Sequence, residues 1–185
     1  MEAIEAAAIA QARAGDPEAF RVLVERHSRA VFRLAYRMTG HEQDAEDAVQ
    51  ETFLRAYRQI HRFDSRSKFS TWLHAIAVNC ALDLLRARRG RPEGPAEPSY
   101  EVAASGHPDP ERLAFSSQVQ NRVSAALVGL SPAERTAFVL RHFEGLPVAE
   151  ISRVLGCPDG AARHSVFRAV QKLRRALQPL VGVTP

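Results

Sequence analysis

Apolar side chains return every three or four positions along most of this chain, the spacing of helices with one buried face. The pattern is clearest from Lys68 to Arg91, where Phe69, Trp72, Leu73, Ile76, Cys80 and Leu84 form one stripe. A second stripe on the same stretch is mostly polar: Trp72, Asn79, Asp83 and Arg86 follow helical spacing, and the helix runs out into Arg86, Arg88, Arg89 and Arg91. An amide, a carboxylate and a growing cationic end suit a helix laid against a polyanion, since cations at phosphates release counterions and an amide can bond a base edge. The alternative is a core helix with a solvated basic end.

Upstream, Asp16-Pro17-Glu18 predicts a helix start, with an Asp cap, a proline at the first helical position and an acid in the first turn. Phe20, Leu23, Val24, His27, Val31, Leu34, Ala35 and Met38 mark its apolar face, and Gly40 ends it. His27 on that face is taken as a packed residue rather than a ligand. The next helix opens with acids at Asp44, Glu46 and Asp47, where the helix dipole favours them. It should bury Ala45, Ala48, Val49, Phe53, Ala56 and Ile60, leaving Asp44, Asp47, Gln50, Glu51, Leu54 and Arg58 outside. That outer face is either plain solvated surface or a docking face with Leu54 as an apolar anchor. Between this helix and the basic one, Phe63 stands among His61, Arg62, Arg66, Lys68, Ser65 and Ser67. An aromatic among cations on a loop has the composition of a pocket for a single-stranded base.

Residues 92–110 hold five prolines, two glycines and no periodicity, and are expected to be an extended linker. Beyond it, Leu113, Val119, Val123, Ala126, Leu127 and Leu130 predict a helix. Ser131-Pro132-Ala133-Glu134 predicts a capping box opening another, with Ala137, Phe138, Val139, Leu140 and Phe143 along it. A short helix (Val148, Ile151, Val154, Leu155) then meets Gly156, a turn, and a helix buried through Ala162, Val166, Val170, Leu173 and Leu177. This is the layout of a helix-turn-helix, whose second helix would turn Ala161, Arg163, His164, Ser165, Arg168, Gln171 and Lys172 outward.

Charge sharpens the picture. The 185 residues carry a net charge of +4. Residues 1–93 contribute +2, residues 94–110 contribute −3 and residues 111–185 contribute +5, so two basic parts flank an acidic connector. Cys80 and Cys157 are far apart and no paired Cys/His spacing occurs, so neither a structural metal nor a disulfide framework is expected, and no cofactor. No apolar run reaches membrane-spanning length, and Glu2 and Glu5 stand where a signal peptide needs cations, so a cytoplasmic location without membrane insertion is expected. No nucleophile–base pair or phosphate-cradling glycine loop suggests an enzyme.

The segments DAEDAVQETFLRAYR, FSTWLHAIAVNCALDLLR and LSPAERTAFVLRHFEGLPVAEISRVLGCPDG, in this order around a proline-rich linker, resemble the extracytoplasmic-function (ECF) sigma factors of bacterial RNA polymerase, within the sigma-70 superfamily. The resemblance runs from about Ala14 to Leu177. It implies an all-α fold of two small helical domains: a region-two bundle at 1–91 and a region-four helix-turn-helix at 111–185, joined by the linker 92–110. It implies an alternative, non-enzymatic sigma factor that binds core polymerase, through the clamp of the largest subunit and the flap of the second-largest, and directs promoter recognition, opening and transcription initiation. Promoter DNA and an anti-sigma factor are its implied partners.

Carried over by position, the resemblance places core docking on Asp44, Asp47, Gln50, Glu51 and Leu54. It places minus-ten contacts on the loop residues Phe63, Asp64, Ser65, Arg66 and Lys68, and on Asn79, Asp83, Arg86, Arg88 and Arg89. It places minus-thirty-five contacts on Ala161, Arg163, His164, Ser165, Arg168 and Lys172, and gives Trp72 a supporting place in the core. Two departures stand out. The recognition helix opens with Ala161-Ala162-Arg163-His164-Ser165, so a serine replaces the family's usual arginine at the fifth place, and Pro147 stands where a capping serine is common. The competing reading is a repressor or activator using only the helix-turn-helix, with the first domain as a sensor or dimerisation unit.

Overall fold

The computed structural model describes residues 2–89 and 122–181. The residues it describes are helical or in turns, and contacts divide them into two compact units, one drawn from residues 2–36 and 43–89 and the other chiefly from residues 122–181. The linker expected at 92–110, and the positions Leu113 and Val119, lie outside the described residues.

The first unit holds α1 (Glu2–Arg13), α2 (Pro17–Thr39) as far as residue 36, α3 (Glu42–Gln59) from residue 43, a 3-10 turn (Ile60–Arg62) and α4 (Phe69–Arg89). As expected, Asp16 begins α2: its Oδ1 accepts the Glu18 and Ala19 amides at 2.9 and 3.3 Å. Gly40, at φ +73°, follows its last turn. Leu23, Val31 and Leu34 of α2, Phe53 of α3, and Leu73, Ala77 and Val78 of α4 are buried in this unit. Ala35, Ala45, Ala48 and Cys80 form a tight cluster, capped by Phe32, Tyr36, Ile76 and Leu84. Small residues at that crossing let the helices approach closely, and the larger side chains around it supply most of the buried apolar area. The periodicity gave no sign of α1; it buries Ala8 and Ala12, a narrow stripe that an alanine-rich segment conceals. Its Glu5 pairs with Arg26 at 3.0 Å and with His27 at 3.3 Å.

The second unit holds α5 (residues 122–128), α6 (Pro132–His142), α7 (Val148–Leu155) and α8 (Asp159–Val181). Leu127 and Leu130 pack with Ala169 and Leu173, flanked by Val123, Ala126 and Phe138. The capping box is formed: Ser131 Oγ accepts the Glu134 amide at 3.3 Å, and Glu134 Oε2 accepts the Ser131 amide at 3.0 Å. Pro147 leaves α7 without a side-chain cap, as its sequence requires. Gly156 closes α7 at φ +62°, a left-handed conformation that turns the chain toward α8 and that glycine adopts without penalty.

Candidate nucleic-acid and polymerase interface

On α3, Asp47, Gln50 and Leu54 are exposed and Glu51 is partly so, with Leu54 at 45 % among polar neighbours. Asp44 departs from the expectation. It is buried, and its Oδ2 lies 2.9 Å from the Arg88 guanidinium of α4. The reason is the approach of α4: the first turn of α3 faces the cationic end of the neighbouring helix, and opposite charges meet there. Asp44 therefore holds α3 against α4 instead of standing outside, and Arg88 is paired within the unit.

The loop before α4 departs at one position as well. Phe63 is 3 % exposed, not a ring free to stack on a base. Its amide closes the 3-10 turn on Ile60 O at 3.0 Å, and its ring lies 5.5 Å from Phe69, edge-on, and 5.4 Å from Trp72. Burying that ring removes more apolar area from water than any solvent-facing pose, which settles its direction. What the loop presents is polar: Asp64, Ser65, Arg66 and Lys68 are exposed. Asp64 shapes the turn, with Oδ1 accepting the Arg66 amide at 3.1 Å and Oδ2 lying 3.1 Å from Arg66 Nε. Ser65 sits at φ +59°, a left-handed conformation unusual for a residue with a Cβ. Trp72, half-buried between Phe63 and Phe69, supports the core.

Along α4, Asn79, Asp83 and Arg86 are exposed and follow one side. Asp83 accepts from two guanidinium groups, Arg86 on Oδ1 at 3.0 Å and Arg55 of α3 on Oδ2 at 3.1 Å. Arg55 also pairs with Glu51 one turn earlier, at 2.6 Å, and that hydrogen bond raises its already high pKa. The Arg89 side chain lies outside the described residues.

Beneath this surface lie two histidines. His74 is buried and its pKa falls to about 4, through desolvation and the nearby His27. His27 is also lowered by desolvation, against the pull of Glu5. Its ring packs 5.3 Å from Phe69, which bears out a packed residue.

On α8, Ala161, Arg163, His164, Arg168 and Lys172 are exposed and Ser165 is partly covered. Arg168 and Lys172 are not independent cations: both reach Glu134 of α6, at 3.2 and 2.7 Å. Glu134 is buried; desolvation alone would raise its pKa, but hydrogen bonds from Lys172 and Ser131 outweigh that and hold it low. Its second role was missed because the cap accounts for an acid at that place; the partners lie more than thirty residues away. Ser152 of α7 donates to Asp159 Oδ1 at 2.5 Å, tying the first helix of the motif to the start of the second. Among the described residues no His/Cys/Asp/Glu group could hold a metal ion, and no helix is long and apolar enough to cross a membrane.

Comparison with known proteins agrees with this geometry. Sigma-70 region 2 matches residues 23–91 and Sigma-70, region 4 matches residues 120–173. The chain is 40% identical over 153 residues to the ECF RNA polymerase sigma factor SigE of Mycolicibacterium smegmatis, covering 82% of this chain and 59% of that protein. It is 35% identical over 179 residues to the RNA polymerase sigma-H factor of Pseudomonas aeruginosa, covering 90% of each. Among solved structures, CnrH in complex with the cytosolic domain of CnrY superposes with a TM-score of 0.69 at 30% identity, covering 95% of this chain and 98% of that one. The helical bundle with a polar stripe, the helix-turn-helix, and these relatives lead to one conclusion: the chain belongs to the sigma-70 family of RNA polymerase sigma factors, in its extracytoplasmic-function group.

Proposed function

We propose a division of labour between the two units of this alternative sigma factor, which directs promoter-specific initiation of transcription. The first unit docks on core polymerase through Asp47, Gln50, Glu51 and Leu54, and engages the minus-ten element through Asp64, Ser65, Arg66, Lys68, Asn79, Asp83 and Arg86. The second meets the minus-thirty-five element with α8, led by Arg163, His164 and Ser165, with Arg168 and Lys172 offering charge to the backbone. The domain bounds are 1–91, 92–110 and 111–185.

The observation that carries this reading is the separation of faces in the first unit. One exposed side of α3 is acidic around an apolar Leu54, while the exposed side of α4 is an amide, a carboxylate held by two guanidinium groups, and then cations. The first suits a protein partner and the second a nucleic acid. Catalysis stays with the polymerase. The chain contributes binding free energy, which offsets the few kcal/mol needed to unstack a base. The role places it in the cytoplasm. An anti-sigma factor is a further partner, supported by the CnrH relative solved with a cytosolic protein domain.

Two substitutions test the division. Asn79→Ala should weaken promoter opening roughly ten-fold, within the range of a lost base contact, while leaving core binding within two-fold (about the effect of a neutral surface change). Asp47→Arg should do the reverse. Equal loss of both functions in either variant would overturn the assignment of faces.

A further inference from the structure

Glu51, Arg55, Asp83 and Arg86 form one continuous chain of ion pairs that crosses from the docking helix to the promoter-facing stripe. Each oxygen of Asp83 is taken by a different guanidinium, Arg86 on one and Arg55 on the other. Arg55 is held in turn by Glu51, one turn back on α3. A carboxylate standing between an amide and a cation on a DNA-facing stripe is a liability, because phosphates repel it. Left to Arg86 alone, Asp83 would cancel the cation that should meet the phosphate. The chain of Glu51, Arg55, Asp83 and Arg86 is neutral overall, but with Arg55 on its second oxygen Asp83 does not draw on Arg86 alone, and the Arg86 side chain, 72% exposed, keeps N–H groups for other acceptors.

We propose that Arg55 is a positioning residue for promoter engagement: from α3 it neutralises and orients Asp83, so that Asp83 aims Arg86 at the DNA backbone. Asp83 then acts through Arg86 and not by touching a base. Because Arg55 is anchored on Glu51, the same side chain joins the docking face to the promoter face. The proposal rests on the reading of α4 as the promoter-facing helix.

The test uses preformed holoenzyme, with purified bacterial core polymerase saturated by each variant, so that docking does not limit the measurement. The probe is a fluorophore-labelled duplex promoter fragment, recovered by run-off transcription from genomic DNA with the wild-type protein. Arg55→Gln should raise the dissociation constant about five-fold at low salt, the upper range for a partly exposed pair, with less effect at high salt. Arg55→Lys, which keeps the charge but cannot reach both carboxylates from two nitrogens, should fall between wild type and Arg55→Gln. Asp83→Asn added to Arg55→Gln should recover part of the affinity, since it removes the uncompensated carboxylate while giving up its hold on Arg86, and a merely structural role for Arg55 would show no such rescue. If the double variant binds as weakly as Arg55→Gln or more weakly, or if Arg55→Gln binds normally, the proposal is overturned. Arg86→Gln separates the two levels: if it leaves promoter binding unchanged, the reading of α4 fails as well. Circular dichroism melts accompany each variant; should Arg55→Gln unfold, Arg55→Lys carries the test, with a loss of about two-fold expected at low salt and no loss overturning the proposal.

Discussion

Single residues in this chain are set by partners far along it. Glu134 caps its own helix and also holds Arg168 and Lys172 of α8. Glu134→Gln keeps much of the cap and loses both ion pairs, so a cost of about 1 kcal/mol is expected, because both cations are half exposed to water. The carboxylate's lowered pKa makes its contribution complete above the unfolded value near 4.5 and lost as pH falls through the folded one. The variant should therefore be less acid-sensitive than the wild type in thermal melts of the second unit. His27 and His74 give an independent pH dependence in the first unit. Both are lowered in the fold, His74 to about 4. The unfolded chain thus binds more protons below about pH 6.5, and stability falls as pH drops from there toward 4. The chain's single tryptophan, Trp72, lies in the adjoining aromatic cluster, so its fluorescence reports this unit. Its melting midpoint should be lower at pH 5 than at pH 7.5, and His74→Met should shrink the difference; an equal midpoint in the wild type would contradict the burial of these rings.

At the scale of elements, what was legible was local. Asp16, the Ser131–Glu134 box and Gly156 act within one turn of themselves, so their residue types alone announce the helix ends they make. Asp44 and Phe63 were misread because α4 decides them. A first-turn acid is expected outside until Arg88 is found beside it, and a loop aromatic is expected free until Phe69 and Trp72 enclose it. Arg55–Glu51 is an i, i+4 pair visible in sequence, whereas Arg55–Asp83 joins residues 28 apart and needs the packed helices. The helix-turn-helix can be tested at its turn. A Cβ on Gly156 would meet nothing within 4 Å, so the cost of Gly156→Ala is conformational, about 1 kcal/mol for an L-residue at positive φ. Duplex binding by the variant should weaken along with the melting temperature, since Gly156 and the Ser152–Asp159 bond together set the start of α8. In the first unit, Leu73 is fully buried, and Leu73→Ala should cost about 2–5 kcal/mol by urea unfolding.

For the molecule as a whole, the charge pattern carries the main physical consequence. The net charge is only +4, and Arg66, Arg86, Arg88, Arg168 and Lys172 each stand within 4 Å of an acid in the same chain. Internal neutralisation of this kind lowers the counterion release available from free protein on duplex DNA, so the affinity should fall less steeply with salt than a count of its cations suggests. In the proposed role, polymerase then supplies a second protein surface and carries out the chemistry. Run-off transcription on genomic templates with purified core polymerase measures that dependence. Promoter-specific transcripts are expected only when core and this protein are present together, with the two co-eluting from a sizing column. A protein that neither co-elutes with core nor yields a specific transcript, yet binds duplex DNA tightly by itself, would contradict it.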